Sequence, residues 1–157
     1  MGATDWSYFV PYEAEWSEAL AKLQAKTFDE GEYSGPGGYS GDERHGAKPG
    51  TIGALRSRTA EGGTHSILDM VRIVRDPRPP RGPSWEPDFD MDFFAVVAPL
   101  PNDDLQRIFG TTKPDHAMID KHMKSLHDLR GRWEGTCIVV YDGDMPSELL
   151  FIGFSGD

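Results

Sequence analysis

Gly63-Thr64-His65-Ser66-Ile67-Leu68-Asp69-Met70-Val71-Arg72-Ile73-Val74 lies near the middle of the chain, between two stretches rich in Gly and Pro. Its reading decides the fold, because here an apolar run coincides with chemically able side chains. Read as a strand, alternate residues share a face. His65, Ile67, Asp69, Val71 and Ile73 form one face, and Ser66, Leu68, Met70, Arg72 and Val74 form the other. The β-branched Ile67, Val71, Ile73 and Val74 favour a strand over 66–74. The rival is a helix capped by Thr64, with Ile67, Val71 and Val74 inward and Asp69 solvated beside Arg72.

The strand reading sets a carboxylate among large aliphatic side chains. Such a group must find a partner or keep its proton, since burying an unpaired charge is costly. Asp69 is therefore a candidate catalytic residue, with His65 as an acid or base in the same cleft. In a strand the two stand about 13 Å apart, at roughly 3.3 Å per residue, too far for a direct pair. In a helix they are four residues apart and within reach. Thr64, Ser66 and Arg72 are the neighbouring candidates for ligand binding. The plainer alternative is that His65 caps the loop-to-strand junction and Asp69 accepts backbone hydrogen bonds.

Towards the N-terminus, residues 6–10 are aromatic and β-prone, and Pro11 closes them as a strand. Trp16, Leu20, Leu23 and Thr27 recur at helical spacing, with Gly31 as the stop. Residues 31–50 hold seven Gly and two Pro, with Tyr33 and Tyr39 interleaved. A stretch of this length is a lid over a cleft, which makes both tyrosines candidate ligand contacts, or it is disordered. It is not a phosphate-binding loop, since no Gly-Lys is followed by Ser or Thr. Thr51 caps a helix expected to run to about Glu61.

Towards the C-terminus, residues 76–90 form a second loop, with Pro at 77, 79, 80, 83 and 87. Arg75, Arg78 and Arg81 are three apart and share one face of a polyproline II segment. That face suits an anion or an acidic patch of the same chain, or it is a solvated linker. Glu86, Asp88, Asp90 and Asp92 alternate as calcium ligands do. A calcium loop starting at Asp88 needs Gly at 93 and Glu at 99, where the chain has Phe93 and Pro99. Residues 93–97 read as a buried strand. Asn102 opens a helix that Gly110 ends. Thr112 caps the next, with Pro114 in its first turn, Ile119, His122, Leu126 and Leu129 as its apolar stripe, and Gly131 as its end. Residues 136–141 and 148–154 are strands, joined as a hairpin by the Asp142-Gly143-Asp144 turn. Together these elements predict a single α+β domain. Its sheet is mixed or antiparallel with about five strands, the C-terminal β-hairpin lies inside it, and the helices lie mainly on one face.

The 157 residues include 26 acidic and 16 basic side chains, a net charge of −10. That excludes a phosphate-backbone partner and so nucleic acid; it suits a basic protein partner or plain solvation. One cysteine permits no internal disulfide and fits a reducing compartment. The N-terminal residues do not read as a signal peptide, and no apolar run reaches membrane-spanning length, so a cytoplasmic protein without membrane association is expected. The five histidines offer no metal spacing. His116, Asp120 and His127 share a helical face, but Asp120 and His127 lie about 10 Å apart along it, at 1.5 Å per residue. No metal and no cofactor are expected. Cys137, inside an apolar strand, reads as a buried small hydrophobe rather than a nucleophile.

Trp6-Ser7-Tyr8-Phe9-Val10-Pro11-Tyr12, Gly63-Thr64-His65-Ser66-Ile67-Leu68-Asp69 and the ending Pro146-Ser147-Glu148 with Gly153-Phe154-Ser155-Gly156-Asp157 resemble a group of small acidic actinobacterial proteins. The resemblance covers both ends and the centre, implies no activity, and makes 31–50 and 76–90 enlarged loops. Two function classes follow from the residues. One is a small cofactor-independent enzyme or small-ligand-binding protein with its cleft at 63–69. The other is an acidic interaction protein of the inhibitor or immunity type that binds a basic protein partner. Oligomeric state stays open in both.

Overall fold

A computed structural model describes residues 4–39, 46–81, 92 and 94–156. The elements run β1 (Asp5–Pro11), α1 (Trp16–Glu30), α2 (Ile52–Arg58), a single 3-10 turn (Ile67–Asp69), β2 (Arg72–Ile73), β3 (Val96–Pro99), α3 (Asn102–Phe109), α4 (His116–His127), β4 (Glu134–Asp142) and β5 (Met145–Phe154). The architecture is α+β, as the sequence predicts. Five strands form one mixed sheet in the order β1-β5-β4-β3-β2. β1, β5 and β4 are antiparallel neighbours, whereas β4, β3 and β2 are parallel. The C-terminal hairpin β4–β5 therefore sits inside the sheet, and β1 and β2 are its edges.

The hairpin is central because both of its faces are apolar. Leu149 and Phe151 of β5 point to one side with Cys137 of β4; Leu150 and Ile152 point to the other with Ile138 and Val140. The first side is covered by Ala19, Leu20 and Leu23 of α1, together with Trp6, Ile67 and Met70. The second is covered by Phe109 of α3 and by Ile119 and Leu126 of α4. The helices are thus divided between the two faces rather than gathered mainly on one. The parallel β3–β4 pair accounts for α3 and α4, since the crossover that carries them must pass over a face of the sheet.

Helix boundaries follow local chemistry. Gly31 ends α1 in the left-handed conformation at φ 72° and donates to the carbonyls of Phe28 and Thr27. Thr51 caps α2 by accepting from the Ala54 N–H, 3.1 Å away. That helix stops at Arg58, short of Glu61, where the Thr59 hydroxyl binds the Leu55 carbonyl. The α4 cap is Asp115, which accepts from Met118 N–H at 2.8 Å, and not Thr112. Pro114 disfavours helical backbone in the residue before it, which delays the start. Ala95 holds φ 55°, so β3 begins after it, later than the expected 93–97.

The largest departure is 66–74. Instead of a strand, Ile67, Leu68, Asp69 and Met70 are all buried in sequence and only Arg72–Ile73 pair with β3. Side chains satisfy the backbone that a strand would have paired. Gln24 donates to the carbonyls of Ile67 (3.0 Å) and Met70 (2.7 Å), and Arg56 donates to those of Leu68 and Met70. Ser66 accepts from Leu68 N–H, and Asp69 from Thr64 N–H. Local side-chain bonds of this kind compete directly with a sheet ladder.

The three arginines of the Pro-rich stretch do not share a face. Arg75 stacks on Trp16 at 4.2 Å, Arg81 pairs with Glu134 at 3.1 Å, and the Arg78 carbonyl accepts from the buried Arg130. The alternating Glu86, Asp88 and Asp90, the expected strand start at Phe93 and the middle of the Gly-rich loop at 40–45 lie outside the described residues. Among the described residues no helix is long and apolar enough to cross a membrane.

Candidate functional site

The 63–69 turn is built from its own side chains. Asp69 is 4% exposed, and its Oδ1 accepts from the Thr64 N–H at 2.6 Å. Thr64 and Ser66, both fully buried, share a hydroxyl hydrogen bond of 2.9 Å. His65 stands between them at φ 55°, a conformation rare outside glycine, and its Nδ1 lies 3.1 Å from the Thr4 hydroxyl. Gly63 precedes them at φ 77°. A side chain there would meet Asp69 Oδ2 at 2.7 Å and the Trp133 ring at 3.1 Å. Glycine is therefore demanded twice, by backbone conformation and by close approach.

The structure thus brings His65, Thr64, Ser66 and Asp69 into one cluster, although neither a strand nor a helix carries them. Residues far away in the sequence complete it. Asp69 Oδ2 and the Ser155 hydroxyl are both buried and make no full hydrogen bond, though Ser155 is near enough to favour the carboxylate. Burial pushes the Asp69 carboxyl above its ordinary range, against the pull of Thr64, Ser155 and His65. Burial likewise lowers Arg56, while the charge of Asp69 acts to raise it. Trp133, at φ 61°, donates its N–H to the Phe154 carbonyl and gives its own carbonyl to Ala95 N–H at 2.8 Å. Left-handed backbone at His65, Ala95 and Trp133 gathers at this one end of the sheet. Each such residue carries a steric cost that its surroundings must offset.

The other expected ligand contacts lie elsewhere. Tyr33 is fully buried against Phe28 and Leu68, and its hydroxyl donates to the Pro36 carbonyl at 3.2 Å, so it serves the core. Tyr39 is 55% exposed at the rim of the described loop. Arg72 is exposed, and its guanidinium reaches the Asp92 carbonyl at 3.4 Å. Burial pushes the Cys137 thiol far up, leaving it protonated and unreactive. Among the described residues no three His, Cys, Asp or Glu come together as a metal site.

Among the described residues, three cavities lie beside this cluster or away from it. One of about 370 Å³ is lined by 34–35 and 57–63 and touches the cluster at Gly63. A second, of about 270 Å³, lies at the far end of the sheet between Trp16, Arg75, Leu105 and Tyr141. A groove of about 550 Å³ runs between the edge strand β1 and helix α1. Its signals in the sequence are an aromatic strand closed by Pro11 and an amphipathic helix immediately after it.

Compared with protein-family models, curated proteins and solved structures, the chain matches none.

Proposed function

We propose that the protein is an acidic interaction module that docks a basic segment of another protein on the β1–α1 side. The observation that carries this reading is the net charge of −10 on the chain, with its N-terminal stretch acidic around a groove whose own charged lining, Glu13 and Glu32 against Lys22 and Lys26, is balanced. Residues 5–32 hold seven acidic side chains (Asp5, Glu13, Glu15, Glu18, Asp29, Glu30, Glu32) against Lys22 and Lys26, a net of −5. Lys22 and Glu13 pair at 2.8 Å, which leaves that net unchanged. A molecule of strong net charge attracts partners of the opposite sign and speeds their encounter. The test is co-purification of the tagged protein with a basic partner, followed by stopped-flow mixing at two ionic strengths. The association rate should fall about tenfold or more between low and high salt, because long-range steering is screened. A rate indifferent to salt would overturn the reading.

A second reading keeps a small-molecule site at 63–69, with His65 and Asp69 as its chemistry. It is favoured by the raised carboxyl of Asp69 and its incompletely bonded oxygen. Here a metabolite panel should raise the melting temperature of the wild type and not of Asp69→Asn; no such ligand-dependent shift would count against it.

A further inference from the structure

β4 outruns its neighbour in the sheet. β3 stops at Pro99, opposite Cys137, whereas β4 continues to Asp142. The gap beside β4 is walled by the start of α3 and by the 110–115 connection, where the Pro114 carbonyl accepts from Tyr141 N–H at 2.9 Å. Alternation fixes what β4 presents to this gap. Tyr12 N–H donates to the Ser147 carbonyl and Ser155 N–H to the Thr4 carbonyl, so the odd-numbered residues of β5 bond to β1. Its even-numbered residues bond to β4, among them Leu150 to Ile138. Val139 therefore turns its N–H and C=O away from β5 and into the gap. Among the described residues no loop or helix backbone takes them, although Val139 is half-buried and such groups need a partner.

This gap is the cavity of about 270 Å³ at the carboxyl ends of β2 and β3. Crevices at the carboxyl ends of parallel strands commonly hold ligands. Its lining is chemically divided. Trp16, Leu100, Leu105 and Ile138 make an apolar wall, and Asn102, Thr112 and Tyr141 offer polar side chains. Arg75 is the one charged residue of the lining, in a chain whose net charge is −10. Its guanidinium stacks on the Trp16 ring at 4.2 Å, and Nη2 donates to the Ala14 carbonyl, so the group is held in place. No carboxylate pairs with it among the described residues. Most of its five N–H donors stay open.

We propose that this cavity binds a small monocarboxylate with an apolar body. The carboxylate pairs with Arg75, whose planar fork matches two oxygens and whose stacked position leaves little to order on binding. Val139 N–H and the Thr112 and Tyr141 hydroxyls are further donors along the wall, and the body packs on Leu100, Leu105 and Ile138. At roughly 30 Å³ per water in the liquid, the cavity holds about nine non-hydrogen atoms. A single cation suits a single negative charge. Asp103 and Asp104, in the first turn of α3, stand against a dianion such as phosphate. Acids farther away are screened beyond about 10 Å at roughly 0.1 M salt. The site is independent of the interaction surface proposed above and stands or falls by its own test.

The experiment titrates the whole isotope-labelled chain with phenylacetate and isocaproate, followed by amide NMR. Both should shift the Val139 and Asn102 amides and the Trp16 indole signal saturably at millimolar probe. Phenethyl alcohol keeps the shape without the charge, and inorganic phosphate keeps charge without the apolar body. Each should bind about tenfold more weakly than phenylacetate, or not at all. Arg75→Gln should weaken phenylacetate binding about tenfold or more. Lys113→Gln removes a cation next to Thr112 in the chain but outside the lining, and should leave binding unchanged. Because Arg75→Gln also removes the stack on Trp16, its spectrum and melting are compared with those of the wild type, whose own titration stands without it. Four outcomes would each overturn the proposal. They are no saturable shift with either carboxylate, shifts confined to residues away from the cavity, phosphate or alcohol bound as well as phenylacetate, and binding undiminished in folded Arg75→Gln.

Discussion

Replacing Asp69 with Asn should stabilise the protein at neutral pH, although it removes a charged, hydrogen-bonded side chain. The carboxylate is 4% exposed, and one oxygen takes the Thr64 N–H at 2.6 Å. The other oxygen is buried beside the Ser155 hydroxyl, and neither completes a bond. A buried polar atom left short of a partner costs about 1–3 kcal/mol. Asn keeps an acceptor for Thr64 and places an amide donor towards Ser155. Against this stands the weakening of the Thr64 bond from charged to neutral, roughly 0.5–1.5 kcal/mol. The difference is a gain of about 1 kcal/mol, or roughly 2–4 °C in melting temperature for a chain of this size. The sign also depends on pH. Burial raises the folded-state pKa of Asp69, so its favourable contribution is present below the unfolded value and is lost as pH rises through the folded one. The advantage of Asn should therefore be small in acid and grow towards neutrality. Urea unfolding of both proteins at several pH values measures it. If the wild type is the more stable and its lead widens as pH rises, the charge is fully compensated, and the account of the orphan oxygen is wrong.

Other groups respond in their own ways. Arg130 is 2% exposed and its guanidinium binds Thr136 Oγ1 (2.9 Å) and the carbonyls of Pro79 (2.6 Å) and Arg78 (2.9 Å). Arg130→Met should cost about 3 kcal/mol or more and raise amide exchange along 74–81, because both carbonyls lose their donor; unfolding and exchange measurements would show it. His116 sits 2.7 Å from Glu148 and stacks on Phe9, and Glu148 raises its pKa. The resulting stabilisation is present below the unfolded pKa and lost as pH rises through the folded one. The exposure of the pair holds the effect below about 1 kcal/mol, and a melting-temperature series should lose this pH dependence in His116→Ala.

The elements legible in the sequence are those whose periodicity and stops agree. α1 shows its apolar stripe and Gly31, and β4–β5 show two apolar runs around Asp142-Gly143-Asp144. The turn at 63–69 was legible in composition and illegible in shape. Its β-branched residues favour a strand, but Gln24 and Arg56, distant in sequence, take up its carbonyls. No local propensity encodes a donor supplied by another helix. The cluster around Asp69 was half visible for the same reason. Thr64, His65 and Ser66 adjoin it in the chain, whereas Ser155 and Trp133 arrive only when β5 and the start of β4 fold against it. The proposed carboxylate site was missed for a different reason. Arg75 was readable as a cation of the Pro-rich stretch, but its place beside Trp16 and Val139 depends on β3 stopping at Pro99 while β4 runs on. A gap of this kind is a property of unequal strand lengths in a sheet, and neither strand's own residues announce the length of the other. A change that let β3 run on past Pro99 should therefore fill the site without touching Arg75, and so act on the proposed ligand from another part of the chain.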